Sequence, residues 1–247
     1  MSRARIDCRQ ITERSQFEEA VRLQKTIWGF DDIELLPVRL FVVANKVGGH
    51  SFGAYDGDRM VGFCVAIPGI KPGGVSYLHS HMLGVLAGYR NLGIGRRLKL
   101  MQRDEALARG IKLMEWTFDP LELKNAFFNM ERLGAIVRRY VENQYGTTSS
   151  PLHGGLPTDR CIAEWWMDSP RVRAIQAGRP LERRIEERVE IPANIAEIRA
   201  ADSRLARAIQ KAAGERLQSG FARGLAVIGF EFTEDKGCYL MGPYHED

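Results

Sequence analysis

Residues 79–81 read His-Ser-His inside SYLHSHMLGV, and residues 89–97 read YRNLGIGRR. The first stretch offers two imidazoles. In an extended strand, residues two apart share a face, so His79 and His81 are expected to project together. Imidazole is the side chain suited to taking a proton near neutrality, with an apparent pKa of roughly 6–7.5. The second stretch sets Gly93 and Gly95 at the mouth of a helix and follows them with Arg96, Arg97 and Lys99. Glycine costs roughly 0.8–1 kcal/mol relative to alanine inside a helix, so something must offset it. A strand that runs into Gly-Ile-Gly and then a helix gathers unpaired N–H groups at one point. The helix dipole adds positive potential, and a missing Cβ lets an oxyanion reach the backbone. The chemistry implied is proton transfer beside a bound pyrophosphate.

Each feature has a plainer reading. Close packing of helix on strand also uses glycine, and a histidine often satisfies a polar core. A zinc site needs three or four protein ligands, and His79 and His81 have no obvious third. A P-loop needs Lys-Ser or Lys-Thr after its last glycine, which is absent after Gly95. A dinucleotide fold places Gly-x-Gly-x-x-Gly after the first strand, whereas this turn falls in mid-chain. Glu115, Asp119, Asp159 and Arg160 are candidates to line a site for a cationic amine, or else loop caps and ion pairs. Phe127, Phe128, Trp165 and Trp166 read as core. The basic run over 171–188 reads as a solvated helix face, with a phosphate or acidic-partner contact as the alternative.

These residues need a scaffold. IDCRQIT suits a strand, and Ser15 is placed to cap a helix running to about Trp28. A second helix follows Pro37 and stops at Gly48-Gly49. Strands flank the turn Asp56-Gly57-Asp58-Arg59. SYLHSHMLGV is a strand, GIGRRLKLMQRDEALARG (93–110) a helix, IKLMEWTF a strand, LELKNAFFNMERLG a helix, and AIVRRYVENQYG and RCIAEWWMD strands. The helix between SYLHSHMLGV and IKLMEWTF implies one parallel β-α-β unit in a mostly antiparallel sheet. The expected class is α/β (α+β), a mixed sheet flanked by helices. Residues 1–169 are expected to form the main domain. Residues 170–247 form a small α+β appendage, with a linker helix, a strand near Val189, a helix from about Ala201 to Leu217 and a final hairpin.

Composition bounds the setting. The chain has 247 residues, 45% hydrophobic and 27% charged, with a formal net charge of +4. That length supports a sizeable core. The mild positive charge suits an anionic small ligand better than nucleic acid. Cys8, Cys64, Cys161 and Cys238 are isolated, which fits reduced thiols in a cytoplasmic protein. MSRARIDCRQ lacks the apolar run of a signal peptide, and LLPVRLFVVANKVGG is too short to span a bilayer. No membrane partner is expected.

Arg90-Asn91-Leu92-Gly93-Ile94-Gly95 resembles the acyl-CoA-binding signature of the GNAT acetyltransferases, and the element order over roughly 5–168 is similar to their fold. Two longer stretches, WTFDPLELKNAFFNMERLGA and GLPTDR, resemble a subgroup of predicted acetyltransferases with no assigned substrate. The resemblance implies acetyl-CoA or another acyl-CoA as co-substrate, with no metal. It implies transfer to a primary amine of a small molecule or peptide in a ternary complex. A catalytically inactive acyl-CoA-binding or regulatory module is the alternative, and a nucleic-acid-binding protein a remote third. Leu83, Gly84 and Val85 stand where such enzymes splay two parallel strands into a V and offer a backbone N–H to the thioester carbonyl. Leu83, Val85, Arg90, Asn91, Leu92, Gly93, Ile94, Gly95, Arg96 and Asn125 are the implied cofactor contacts. His79 and His81 fall where the family places its base or water relay, and Glu115 beside them. Met130 occupies the position of the family's usual tyrosine acid, so Tyr140 and Tyr145 become the substitutes. A homodimer stays open.

Overall fold

The computed structural model describes residues 6–146, 148–149 and 154–245. Parts of the expected 146–159 loop and the first five residues lie outside the described residues. The chain forms two compact units, residues 1–115 with 149–151 and residues 116–148 with 152–247.

The first unit opens with β1 (Asp7–Gln10), α1 (Arg14–Trp28) and α2 (Val38–Lys46). It continues through β2 (His50–Asp56), β3 (Arg59–Ile70), β4 (Ser76–Val85) and α3 (Ile94–Ala108), and enters β5 (Leu113–Phe118). The strands lie in the order β1-β2-β3-β4-β5. All pairs are antiparallel except β4–β5, the parallel pair that the intervening helix α3 requires. Phe17 stacks on Phe41 at 5.8 Å, and Phe41 meets Phe63 at 6.0 Å, pinning α1 and α2 to β3. Each buried ring contributes roughly 1.5–3 kcal/mol. The start of α1 differs from expectation. The cap is Glu13, not Ser15, and Gln16 Oε1 accepts the N–H groups of Thr12 and Glu13 at 3.0 Å each.

The second unit holds the end of β5, α4 (Leu123–Phe127), β6 (Ile136–Val141), β7 (Arg160–Trp166) and α5 (Pro170–Gln176). It closes with β8 (Glu187–Pro192), α6 (Ile195–Ala201), α7 (Ser203–Ala222), β9 (Leu225–Phe232) and β10 (Lys236–Pro243). Its strand order is β5-β7-β6-β9-β10-β8. The helix expected over LELKNAFFNMERLG is short, because residues 128–133 turn as a π-helix ending at left-handed Gly134. Asn129 inside that turn accepts the Trp116 indole N–H at 3.3 Å. Trp165 is fully buried and gives its indole N–H to the Leu133 carbonyl at 2.8 Å. Phe127, Phe128 and Trp166 are only half-buried.

The basic run is not one helix face. Only 170–176 are helical, and 179–186 form a strap without regular secondary structure. Gly178 explains the stop: it is left-handed (φ 67°), and the N–H groups of Gly178 and Arg179 turn back to the carbonyls of Ile175 and Ala174 at 3.1 and 2.9 Å.

Candidate active site

The parallel ladder between β4 and β5 covers only Leu78 opposite Met114 and His79 opposite Glu115. β4 runs on to Val85 while that ladder stops. On its other edge, Val85 sits opposite Gly62, and the Leu86 N–H donates to the Val61 carbonyl at 2.9 Å. That bond makes Gly62–Val85 a non-hydrogen-bonded pair, so the Val85 N–H turns away from β3. It therefore faces the edge where the ladder has ended.

β4 does not alternate strictly. A bulge falls at His81, between Ser80 opposite Ala66 and Met82 opposite Val65. The two imidazoles still meet, with ring centroids 5.9 Å apart. His79 is half-buried and His81 exposed. Burial pulls the His79 pKa down to about 4, with the charges of His81 and Lys99 adding to the effect. Burial also lowers that of His81. Both shifts favour the neutral imidazole, the form that can accept a proton, and make each ring a weaker base than a free one. The ordinary imidazole range expected from sequence does not hold for His79, because desolvation penalises its cation.

Glu115 is buried and ion-paired with the Lys71 ammonium, which also sits 5.4 Å from the Tyr77 ring centroid. Glu115 is the residue opposite His79 on the last rung of the ladder. Behind β4, Lys99 donates to Ser80 Oγ at 2.7 Å, and Ser80 donates to Gln102 Oε1 at 2.9 Å. Lys99 is buried, and desolvation lowers its pKa to about 7.

The turn after β4 is shaped by backbone. Asn91 (φ 63°) and Gly93 (φ 77°) both take the left-handed conformation. Gly93 caps α3 with no side-chain cap, and the first turn holds no acid. The N–H groups that open this helix have no acceptor within it. Gly95 is different. A Cβ there would meet only Leu83 Cδ2, at 3.5 Å, an ordinary contact. Folding does not demand glycine at 95, whereas a ligand against the backbone would. Arg90 Nε donates to the Val85 carbonyl at 3.2 Å, tying the turn to the end of β4. Leu92 is exposed, Ile94 is buried in the core, and Arg96 is half-buried.

Asn125 and Tyr140 belong to the second unit. Asn125 is exposed on α4. Tyr140 donates to Asp159 Oδ2 at 2.8 Å. Burial and that carboxylate raise its pKa far above the ordinary phenol value. Asp159 also accepts from Arg207 at 3.2 Å, and Asp119 pairs with Arg199 at 3.3 Å. Of the acids expected to line an amine site, Asp119 and Asp159 are therefore occupied by arginines from 170–247, and Glu115 by Lys71. Tyr145 shares a hydrogen bond with Thr117 at 3.0 Å. No cluster of three or more metal-ligating side chains occurs among the described residues. None of the described helices is long and apolar enough to cross a membrane.

Lys71, Ser80 and Lys99 were not legible as site residues. The signal for Lys99 was its place on α3, whose buried stripe is Ile94, Leu98, Gln102 and Ala106. Lys99 flanks Leu98 on that stripe, where a cation must be buried.

Residues 14–134 match the model of the Acetyltransferase (GNAT) family. This segment is a GNAT acetyltransferase domain. Arabidopsis thaliana NAA60, solved with a bisubstrate analogue, shares the fold at TM-score 0.53 and 16% identity, over 65% of this chain and 97% of that one. A Streptococcus mutans protein, smu.2055, matches at TM-score 0.53 and 16% identity, over 66% and 99%. The Escherichia coli ribosomal-protein-S18-alanine N-acetyltransferase matches at TM-score 0.50 and 17% identity, over 65% and 92%. Identities this low establish the GNAT fold alone. No curated protein sequence matches the chain.

Proposed function

We propose that the protein is an acyl-CoA-dependent N-acyltransferase, with acetyl-CoA as donor and a primary amine of a peptide or small molecule as acceptor. The observation that carries this reading is the end of β4. An N–H at Val85 without a ladder partner is followed at once by an uncapped helix start with left-handed Asn91 and Gly93. The first fits a thioester carbonyl, the second a pyrophosphate. In this reading Leu83 and Val85 hold the acyl and pantetheine end. Arg90, Asn91, Leu92, Gly93, Ile94, Gly95 and Arg96 hold the phosphates. NAA60 has been solved with acetyl-CoA, which supports the same donor here.

The chemistry then follows from the two histidines. The amine nitrogen attacks the thioester carbon, forming a C–N bond, and the Val85 N–H stabilises the developing oxyanion. The C–S bond breaks as the oxyanion collapses. His79, neutral at pH 7, takes the ammonium proton directly or through water, with His81 as relay, and returns it to the thiolate. Glu115 holds the electrostatic balance beside His79. Tyr140, its proton held by Asp159, is the weaker acid candidate. We assign the transfer chemistry to residues 1–169, and 170–247 supply Arg199 and Arg207 to the acids at 119 and 159. The setting we propose is cytoplasmic.

The test is a panel of peptide and small-molecule amines with acetyl-CoA, read by free thiol and by mass of the product. Thiol release with acetylated amine, lost in Gly95→Val, is the expected result. Coenzyme A binding without turnover on any amine would favour the inactive acyl-CoA-binding module.

A further inference from the structure

Arg171 and Arg183 line an open groove of the second unit, of about 460 Å³. That is within the ordinary range of small-molecule sites. One wall is polar, and the others are built from Pro170, Leu181, Ile228, Pro243 and Tyr244.

The cations are fixed in place. Glu131 takes both terminal nitrogens of Arg183 at 2.8 Å and also accepts the Phe230 N–H at 2.8 Å. A guanidinium held this way has one orientation. Its Nε is buried with no hydrogen-bond partner, a costly state for a charged donor. Arg171 gives Nε to the Gly134 carbonyl at 3.0 Å and Nη2 to the Met130 carbonyl at 3.3 Å. Burial and the neighbouring Arg183 pull its pKa down to about 10, so it remains a cation at neutral pH.

The strap that carries Arg183 is seated by backbone. The Glu186 N–H donates to the Met241 carbonyl at 2.9 Å. A Cβ at Gly242 would lie 2.0 Å from the Arg184 carbonyl oxygen, so this approach needs glycine.

Charge decides what fits. Arg183 is balanced by Glu131 and Arg184 by Glu186. Arg171 and Arg179 have no carboxylate partner among the described residues, and the acid in the lining is Glu182. Two such cations against one acid leave a single surplus positive charge beside an apolar wall.

We propose that this groove binds a small monocarboxylate with an apolar body. The carboxylate lies against Arg171 and Arg179, the two lining cations outside the Glu131 and Glu186 pairs, and the body packs on Leu181, Ile228 and Tyr244. The proposal is independent of acyl transfer.

The probe is benzoate, titrated into the full chain with the arginine Nε–Hε resonances followed by NMR and the heat by calorimetry. Inorganic phosphate is run in parallel. The expected result is saturable benzoate binding that shifts the Arg171 and Arg179 Nε–Hε signals. Arg171→Lys, which keeps the charge and loses the fork, should weaken binding tenfold or more. Arg179→Gln, at an exposed position without a partner, should weaken it severalfold and leave folding unchanged. Three results would overturn the proposal. One is no saturable benzoate binding at millimolar concentration. Another is equal affinity for phosphate, the mark of a bare charge patch. The third is binding undiminished in both variants.

Discussion

Lys99 Nζ donates to Ser80 Oγ at 2.7 Å, so a buried amine holds the residue that separates the two site histidines. Its pKa of about 7, against 10.5 in the free side chain, means the folded protein gives up this proton before the unfolded chain does. Between pH 7 and 10.5 the unfolded state binds more protons, so this group makes stability rise with pH, by up to about 1.4 kcal/mol per unit. Lys99→Met should remove that slope and be relatively more stable at pH 7 than at pH 9.5. Urea unfolding of both proteins at the two pH values checks it. Parallel pH dependence would mean that Lys99 is not the titrating group.

The two glycines of the turn should separate by experiment. Gly93 has φ 77°, which a side chain resists, so Gly93→Ala should lose about 1–2 kcal/mol of stability. Gly95→Ala should fold normally, since its Cβ meets Leu83 at 3.5 Å. Gly95→Val should fold too and lose coenzyme A affinity tenfold or more. Thermal melts with calorimetry against coenzyme A distinguish the pair. Unchanged affinity in folded Gly95→Val would remove the pyrophosphate from this turn.

Much of this was legible in the sequence, and the limits have physical causes. The order of strands and helices followed from periodicity and from punctuation such as Gly57, Gly110 and Gly134. The glycine turn was legible because its backbone demand is local. The bulge at His81 was not, because it arises from register against β3 and leaves no mark in SYLHSHMLGV. The strap at 179–186 was read as helix because five arginines over 171–184 resemble a solvated face. Two of them, Arg171 and Arg183, instead bind partners 37 and 52 residues away. Long-range pairing of that kind has no local signature. The acids at 119 and 159 were legible as charged and not as occupied, for the same reason.

His79 sets two pH dependences. Its pKa of about 4 lies below the free value of 6.5, so the unfolded state binds more protons between these pH values. Stability from this group is therefore full above pH 6.5 and lost as pH falls toward 4. His50, also lowered by burial, acts in the same direction. His79→Gln should flatten part of the acid loss in a denaturation series. On a working amine it should also cut turnover by about 10²–10⁴-fold with coenzyme A affinity kept. The wild-type rate should show no rise due to His79 between pH 6 and 7.5. A histidine-dependent limb in that interval would overturn the low pKa.

Lys71 and Glu115 give the last test, because their contact joins the β3–β4 hairpin to the rung beside His79. Glu115 is 5% exposed at its side chain and Lys71 27%. Removing the lysine leaves a buried carboxylate without its cation, a larger loss than removing both charges. Lys71→Met should therefore destabilise the protein by about 1–3 kcal/mol at pH 7, the partial exposure of Lys71 keeping the loss below that of a fully buried pair. Lys71→Met with Glu115→Gln should recover much of the loss, since a neutral amide needs no counter-charge. Chemical denaturation of the single and double variants gives the coupling directly. Turnover adds a second readout. If Glu115 acts only through charge beside His79, the double variant regains stability and stays slow. If it recovers both, Glu115 is part of the frame, and the proton chemistry belongs to the histidines alone.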